Sequence, residues 1–376
     1  MTGPLRAGII GGGFMAEVHA RAIRDAGHDV VMIASSSPER SAEAAARLGV
    51  ANVAADAQSL VESDLVDVVH VCTPNSFHAD QAKLGLAESK PVVCEKPLAT
   101  SVADARDLVA LAAQKHTLTA VPFVYRYYPA VREILSRIAH GDTGQLRLLH
   151  GNYLQDWLAP SAAHNWRADE TIGGESRTFA DIGVHWCDLM EFVTGHRITR
   201  LVSLLTRAHP DRSTNEDAAS LIFETDRGAS GTLVASQISY GRKNHLYFSF
   251  DGDLESYQWN QERPGMFSSA NVGGETIVRA GSAEMASAAA QRLAYLPAGH
   301  PQGYQDAFNA FIADAYASFE GKTVDGLPTF DDGLRAALLT EAVVDSSQSG
   351  EWVDVRRDDS HEGQDLSPVD TTSAKH

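Results

Sequence analysis

In Asp181-Ile-Gly-Val-His185 a carboxylate and an imidazole stand four residues apart, and a helical segment would put them on one face. An imidazole titrates near neutrality and can take or return a proton. A carboxylate within reach favours the charged ring while burial opposes it, so the expected pKa of His185 is near or somewhat above that of free histidine. Taken alone, such a histidine is ordinarily a satisfied core residue. Asp188 continues the same face, and these oxygen and nitrogen donors also suit divalent ions.

A second constellation is Gly11-Gly12-Gly13-Phe14-Met15-Ala16, a G-x-G-x-x-A turn between a strand pattern and a helix pattern. Gly11 allows the tight turn, Gly13 lets a pyrophosphate approach the backbone, and Ala16 lets helix and strand pack closely. The helix N-terminus then faces the phosphate charge. Phe14 and Met15 lie inside this turn. The next strand ends Ala34-Ser35-Ser36-Ser37-Pro38-Glu39-Arg40, with no carboxylate where ribose hydroxyls would need one. The hydroxyls of Ser35 and Ser36 leave room for a 2′-phosphate and Arg40 can supply charge, which favours NADP over NAD. A plain Ser37 helix cap with a solvated Arg40 would leave the choice between NADP and NAD open.

The elements that must hold these groups are legible as pattern. Apolar runs at 5–10, 30–34, 68–72, 91–94 and 118–123 read as buried strands, alternating with helical patterns at 14–26, 38–48, 57–62, 76–88 and 101–115. This alternation predicts an α/β, doubly wound parallel sheet over residues 1–123. Ser101-Val-Ala-Asp104 matches a capping box ahead of the last of these helices. From 124 to 355 the pattern changes to a helix at 129–140 and longer strands at 145–154, 198–208, 217–226, 229–239 and 245–251. Asp226-Arg227-Gly228 would turn a hairpin. This part predicts an α+β domain with a large, mostly antiparallel sheet. Residues 260–300 show no firm periodicity, helices resume at 303–319 and 331–346, and the polar tail 356–376 is expected to be disordered.

The 376 residues exceed a single core, and the 44% hydrophobic content is that of a globular protein. No apolar run is long enough to cross a bilayer and the lead-in to the first strand is too short for a signal peptide, so the expectation is a cytoplasmic protein without a membrane partner. A formal net charge of -18 argues against nucleic acid. The three cysteines, Cys72, Cys94 and Cys187, have no partner at metal-ligand spacing and are expected to be buried thiols.

Together with the Gly11 to Ala16 turn and His19 behind it, Cys72-Thr73-Pro74-Asn75 with His78, Glu95-Lys96-Pro97, Asn165-Trp166-Arg167, and Gly173-Gly174 leading to Asp181 and His185 occur in the order shown by the Gfo/Idh/MocA oxidoreductases. The chain resembles that family from Ala7 to about Val355. The resemblance implies an N-terminal Rossmann domain, a C-terminal domain whose open sheet often forms contacts in a homo-oligomer (dimer or tetramer), and a sugar or polyol substrate between them. It implies that Thr73, Pro74 and Asn75 border the nicotinamide, that Glu95 and Lys96 line it, and that Asp181 and His185 face the reacting carbon. Where the family commonly reads Gly-Gly-Gly, this chain has Glu175 and then Arg177, side chains expected to enter the substrate pocket.

For hydride transfer at a carbinol, Lys96 would stabilise oxygen charge and His185 would exchange the hydroxyl proton; which of the two takes the proton first stays open. No metal is expected, because this chemistry already has its acid–base groups. Among the aromatic residues Tyr125, Tyr127, Tyr128, Tyr153, Trp157 and Trp166, the foremost substrate candidates are Tyr153 and Trp166, with Arg167 beside them. The alternatives are a glycoside-cleaving enzyme that oxidises transiently, and a cofactor-binding regulator. Retention of Lys96, Asp181 and His185 together speaks against the regulator, since binding alone needs no acid–base set.

Overall fold

The computed structural model describes residues 3–163 and 165–356. The expected disordered tail lies, from residue 357 on, outside the described residues.

The first sheet has the strands β1 (Arg6–Ile10), β2 (Asp29–Ala34), β3 (Asn52–Val53), β4 (Val68–Val71), β5 (Val92–Cys94) and β6 (Thr119–Ala120), all parallel in the order β3-β2-β1-β4-β5-β6. The crossovers are α1 (Phe14–Asp25), α2 (Pro38–Leu48), α3 (Ala57–Val61), α4 (His78–Ala87) and α5 (Val102–Lys115). Strand order reverses between β1 and β4, the crevice where open α/β sheets bind ligands at strand C-termini. Caps fix the helix starts: the Ser101 side chain accepts the Asp104 N–H ahead of α5, and Ser37 does the same for Arg40 ahead of α2.

The second part begins with α6 (Pro129–His140), β7 (Leu146–Leu154) and α7 (Glu170–Gly173). A π-helical turn, Phe179–Gly183, then runs directly into α8 (Val184–Thr194). Strands β8 (Ile198–Thr206), β9 (Ala218–Thr225), β10 (Ser230–Ser236), β11 (His245–Gly252), β12 (Ser256–Asn260), β13 (Met266–Asn271) and β14 (Gly274–Arg279) follow. The chain ends in α9 (Ala288–Leu293), α10 (Tyr304–Phe319), α11 (Phe330–Ser349) and β15 (Val353–Asp354). The sheet order is β14-β13-β12-β11-β7-β10-β9-β8-β15, antiparallel throughout except for the β7/β10 pair. The β9/β10 hairpin turns at Gly228, whose φ of 82° suits glycine.

Residues 260–300 correct the sequence reading, for β13, β14 and α9 lie there. Their small and polar residues, with β14 exposed on nearly all sides, give no alternation to detect. One face of the sheet carries α8 and α11; the other leaves Leu148, Leu204, Ile222 and Val234 exposed. Trp186 of α8 is buried beneath the sheet and donates through Nε1 to the Tyr247 carbonyl at 3.0 Å, which seats the helix. The π turn above it depends on Gly183, where a Cβ would come within 2.4 Å of the Phe179 ring. Helix α10, from late in the chain, packs on α1 of the first domain; Gln305 donates to the Val18 carbonyl and Asn309 to Asp25. All three cysteines are buried. Among the described residues, no helix is long and apolar enough to cross a membrane.

Candidate active site

The Gly-rich turn, the ends of β2, β4 and β5, and the π turn with α8 border one cavity of about 1260 Å³. Gly11 has φ of 113°, and a Cβ there would stand 2.5 Å from the Cys72 carbonyl oxygen, so β1 and β4 can meet only through glycine. Among the described residues no atom lies within 4 Å of where a Cβ would be at Gly13, and no side chain caps α1. Free backbone N–H groups at the start of a helix beside an open groove suit a pyrophosphate. These residues therefore fit a dinucleotide.

Phe14, Met15, Ser35, Ser36, Arg40, Thr73, Pro74, Asn75, His78, Glu95 and Lys96 all border this cavity. Arg47, unforeseen from sequence, borders it too and its guanidinium donates to the Gly12 carbonyl. Several of these residues also secure the walls. Asn75 donates to the Gly173 carbonyl at 2.9 Å, and the His78 ring nitrogens lie 2.7 Å and 2.8 Å from the carbonyl oxygens of Pro97 and Thr73.

Beyond the nucleotide groove, Lys96, Asp181 and His185 come together. Lys96 Nζ donates to the Asp181 carbonyl at 2.9 Å and to its Oδ1 at 2.7 Å, leaving one N–H of the ammonium for a ligand. Arg167 Nε lies 3.3 Å from the same carboxylate oxygen, and Gln237 donates to Oδ2 at 2.7 Å. Burial pushes the Asp181 carboxyl up, but the charges of Lys96 and Arg167 prevail and hold it below its usual range. Asp181 is thus a fixed anion that orients Lys96.

His185 departs from the expected pKa. Burial, then the charge of Lys96, push it well below the ordinary value, and Asp181 offsets only part of this because its carboxylate is already engaged by Lys96 and Arg167. The ring is therefore neutral at physiological pH. Its Nδ1 is buried and has no hydrogen-bond partner among the described residues, and the ring packs against Phe123, Tyr125 and Tyr153 at centroid distances of 5.6, 5.1 and 6.3 Å. Asp188 does not share the site, because it forms a salt bridge with Arg126. Among the described residues no group of three potential ligands could hold a metal ion.

The far wall is mainly aromatic. Tyr125 and Tyr153 share a hydrogen bond of 2.5 Å, Tyr153 donates to Asn244 Oδ1 at 2.6 Å, and Gln155 donates to the same oxygen at 2.9 Å. Trp157, Trp166 and Tyr304 complete it, and the Arg167 guanidinium stacks 4.4 Å from the Trp166 ring centroid. Gln155, Gln237, Asn244 and Tyr304 carry no sequence signature; only their strand and helix ends bring them here.

Arg177 is a correction. Its side chain is fully buried in a salt bridge with Asp217, which also takes Arg212, while Glu216 accepts the backbone N–H groups of Arg177 and Phe179. Two buried carboxylates on that side require compensation, and Arg177 is spent there, behind the cavity. Glu175 is exposed and accepts a hydrogen bond from Gln348.

Comparison with known proteins gives two matching family models. Residues 5–123 match "Oxidoreductase family, NAD-binding Rossmann fold", and residues 131–258 match "GFO/IDH/MocA C-terminal domain". Levoglucosan dehydrogenase of Pseudarthrobacter phenanthrenivorans is 28% identical over 93% of this chain and 98% of its own. A crystal structure of an oxidoreductase domain protein from Kribbella flavida superposes with a TM-score of 0.87 at 31% identity, covering 95% of this chain and 100% of that one. A levoglucosan dehydrogenase in complex with NADH and levoglucosan superposes with a TM-score of 0.88 at 29% identity, covering 94% and 100%.

Proposed function

Because the chain belongs to the GFO/IDH/MocA family of oxidoreductases, we propose that it moves a hydride between a nicotinamide cofactor and a carbinol carbon of a sugar, sugar derivative or polyol. The observation that carries this reading is the convergence of Lys96, Asp181 and His185 on the cavity that the Gly-rich turn opens. The remaining Lys96 N–H binds the substrate hydroxyl and stabilises negative charge on its oxygen. The neutral His185 accepts the hydroxyl proton as the hydride leaves carbon, and returns it in the reverse direction. Bound nicotinamide supplies the hydride acceptor or donor. Trp157 and Trp166 offer flat faces to a ring, while Tyr125, Gln155 and Asn244 offer neutral donors and acceptors to its hydroxyls. The relative's activity on levoglucosan supports an uncharged sugar. The test is a panel of sugars, anhydrosugars, glycosides and inositols with NAD and NADP, read at the nicotinamide absorbance. Cleavage of a glycoside without net cofactor reduction would replace this reading with that of a glycoside-cleaving enzyme that oxidises transiently.

The family binds NAD; the preference for NADP is our further reading. Its support is that Ser35, Ser36, Arg40 and Arg47 border the groove where a 2′-phosphate would lie. Replacing Ser35 by Asp is expected to weaken NADP binding at least tenfold and leave NAD binding within about threefold, measured by calorimetry. Tighter binding of NAD than NADP by the wild type would refute the preference.

We read the protein as a cytoplasmic homo-oligomer. The exposed apolar residues Leu148, Leu204, Ile222 and Val234 on the open sheet face support association of two copies. Light scattering is expected to give a dimer or tetramer, and a monomer at micromolar concentration would refute it.

A further inference from the structure

Glu95 terminates a line of buried side chains for which the chemistry above has no use. His19 of α1 places Nε2 3.1 Å from Glu95 Oε1, and its Nδ1 lies 2.8 Å from Nδ1 of His70 on β4. His70 Nε2 in turn lies 2.8 Å from the Tyr316 hydroxyl on α10. His19, His70 and Tyr316 are each 0% exposed and none borders the cavity. Glu95 does border it, and its other oxygen accepts the Lys96 backbone N–H at 3.1 Å.

Proton counting restricts how this line can be connected. Burial, then His19, push the His70 pKa well below the ordinary value, so that ring carries one N–H. If His19 is neutral, it donates from Nε2 to Glu95 and accepts at Nδ1 from His70 Nδ1–H, and Tyr316 donates to His70 Nε2. If His19 is protonated, it still donates from Nε2 to Glu95, while its Nδ1–H donates to His70, whose Nε2–H donates to the Tyr316 oxygen. Taking up the proton reverses two hydrogen bonds, breaks none and moves no heavy atom. The bond into Glu95 is common to both arrangements.

We infer that Tyr316, His70 and His19 are positioning residues that hold Glu95 as a hydrogen-bond-accepting carboxylate facing the cavity, so that the site binds the oxidised, cationic nicotinamide more tightly than the reduced, neutral one. The groups that face Glu95 from the elements around it are His19, Lys96, His78, Cys72, Cys94 and Tyr304. Burial pushes the Glu95 carboxyl up, and the His19 hydrogen bond with the charges of His19, Lys96 and His78 brings it below its usual value. Without His19 the burial is opposed by less, and Glu95 takes up a proton closer to neutrality.

The inference rests on the dinucleotide reading of the cavity, and the experiment separates the two. Dissociation constants for the oxidised and reduced dinucleotide are measured by calorimetry from about pH 6 to about pH 9 in wild type, His19→Leu and His19→Gln. In the wild type the ratio of the two constants stays level. In His19→Leu the oxidised form should bind about tenfold more weakly at the acid end and recover as pH rises, while the reduced form changes less than about twofold. The glutamine amide N–H should restore the wild-type ratio in His19→Gln. An unchanged ratio in His19→Leu, or equal loss of both forms, overturns the inference, whereas a wild type that binds neither form overturns the dinucleotide reading itself. Should His19→Leu fail to fold, ¹⁵N spectra of the wild-type rings decide: His19 Nε2 must bear a proton throughout and His70 must bear one, and a bare His19 Nε2 overturns the inference.

Discussion

Replacing Lys96 by methionine is expected to lower kcat for sugar oxidation by about 10²- to 10³-fold while the dinucleotide dissociation constant changes less than about threefold. Methionine keeps most of the stem and removes the ammonium. The loss then falls on charge that develops at the substrate oxygen, since two of the three Lys96 N–H bonds are already held by Asp181. The variant also strips Asp181 of its nearest cation, leaving Arg167 at 3.3 Å as its remaining charge partner. Some loss of stability is therefore expected beside the loss of rate, because a buried carboxylate without compensation is costly. Steady-state kinetics, a binding titration and a thermal melt on one preparation distinguish these effects. Turnover at the wild-type level would remove Lys96 from the mechanism.

The second large effect is expected at His185, where asparagine should reduce oxidation about 10²- to 10⁴-fold. The pH dependence is the sharper test. Since burial and Lys96 push the His185 pKa well below its ordinary value, the ring is an available base down to acid pH, and the wild-type oxidation rate should fall only well below about pH 6.5. Reduction requires the protonated ring and should gain rate as pH drops over that range. The same depression has a stability consequence of defined sign. Between the folded-state pKa and about 6.5 the unfolded chain binds the proton that the native ring refuses, so stability falls as pH falls through that window and is regained above it. His185→Asn should flatten this contribution, although His70 and His78, also depressed chiefly by burial, maintain theirs. An oxidation rate whose acid limb is centred near pH 6.5 or higher, or a variant that keeps the wild-type profile, would transfer the base role to Lys96.

The parts of this molecule legible in its sequence are those that local physics writes locally. Strands β1, β2, β4 and β5 are apolar runs because both faces are covered, whereas the two-residue edge strand β3 is exposed and leaves no such mark; Ser101 and Asp104 announce α5 because the cap bond spans three residues. The hairpin at Gly228 is a matter of adjacent residues. Gln237 had no such signature: it reaches Asp181 across 56 residues, and the neutral amide at the end of β10 differs in no local respect from a surface one. The partnership of His70 with Tyr316 spans 246 residues. Arg177 departs from expectation for a related reason: nearness in sequence to the site does not fix where a cation faces, and the buried carboxylates of Glu216 and Asp217 hold it on the opposite side. The His185 pKa is not legible in sequence, which shows the spacing to Asp181 but not the prior engagement of that carboxylate by Lys96 and Arg167.

The packing of α10 on α1 bears on the order in which the protein can be made. The first six strands and their helices are complete at Ala120, yet Tyr304, which borders the cavity, and Tyr316, which closes the buried line to Glu95, are synthesised nearly two hundred residues later. At elongation rates of roughly 5 to 20 residues per second this is an interval of roughly 10 to 40 s. Throughout it the nascent nucleotide-binding domain exposes the face of α1 that Gln305 and Asn309 will later cover. Until then His70 has no phenol above it. Ribosome-stalled chains long enough to expose residues 1–123 should accordingly be protease-sensitive around α1, with protection appearing only in chains long enough for residue 319 to have cleared the exit tunnel.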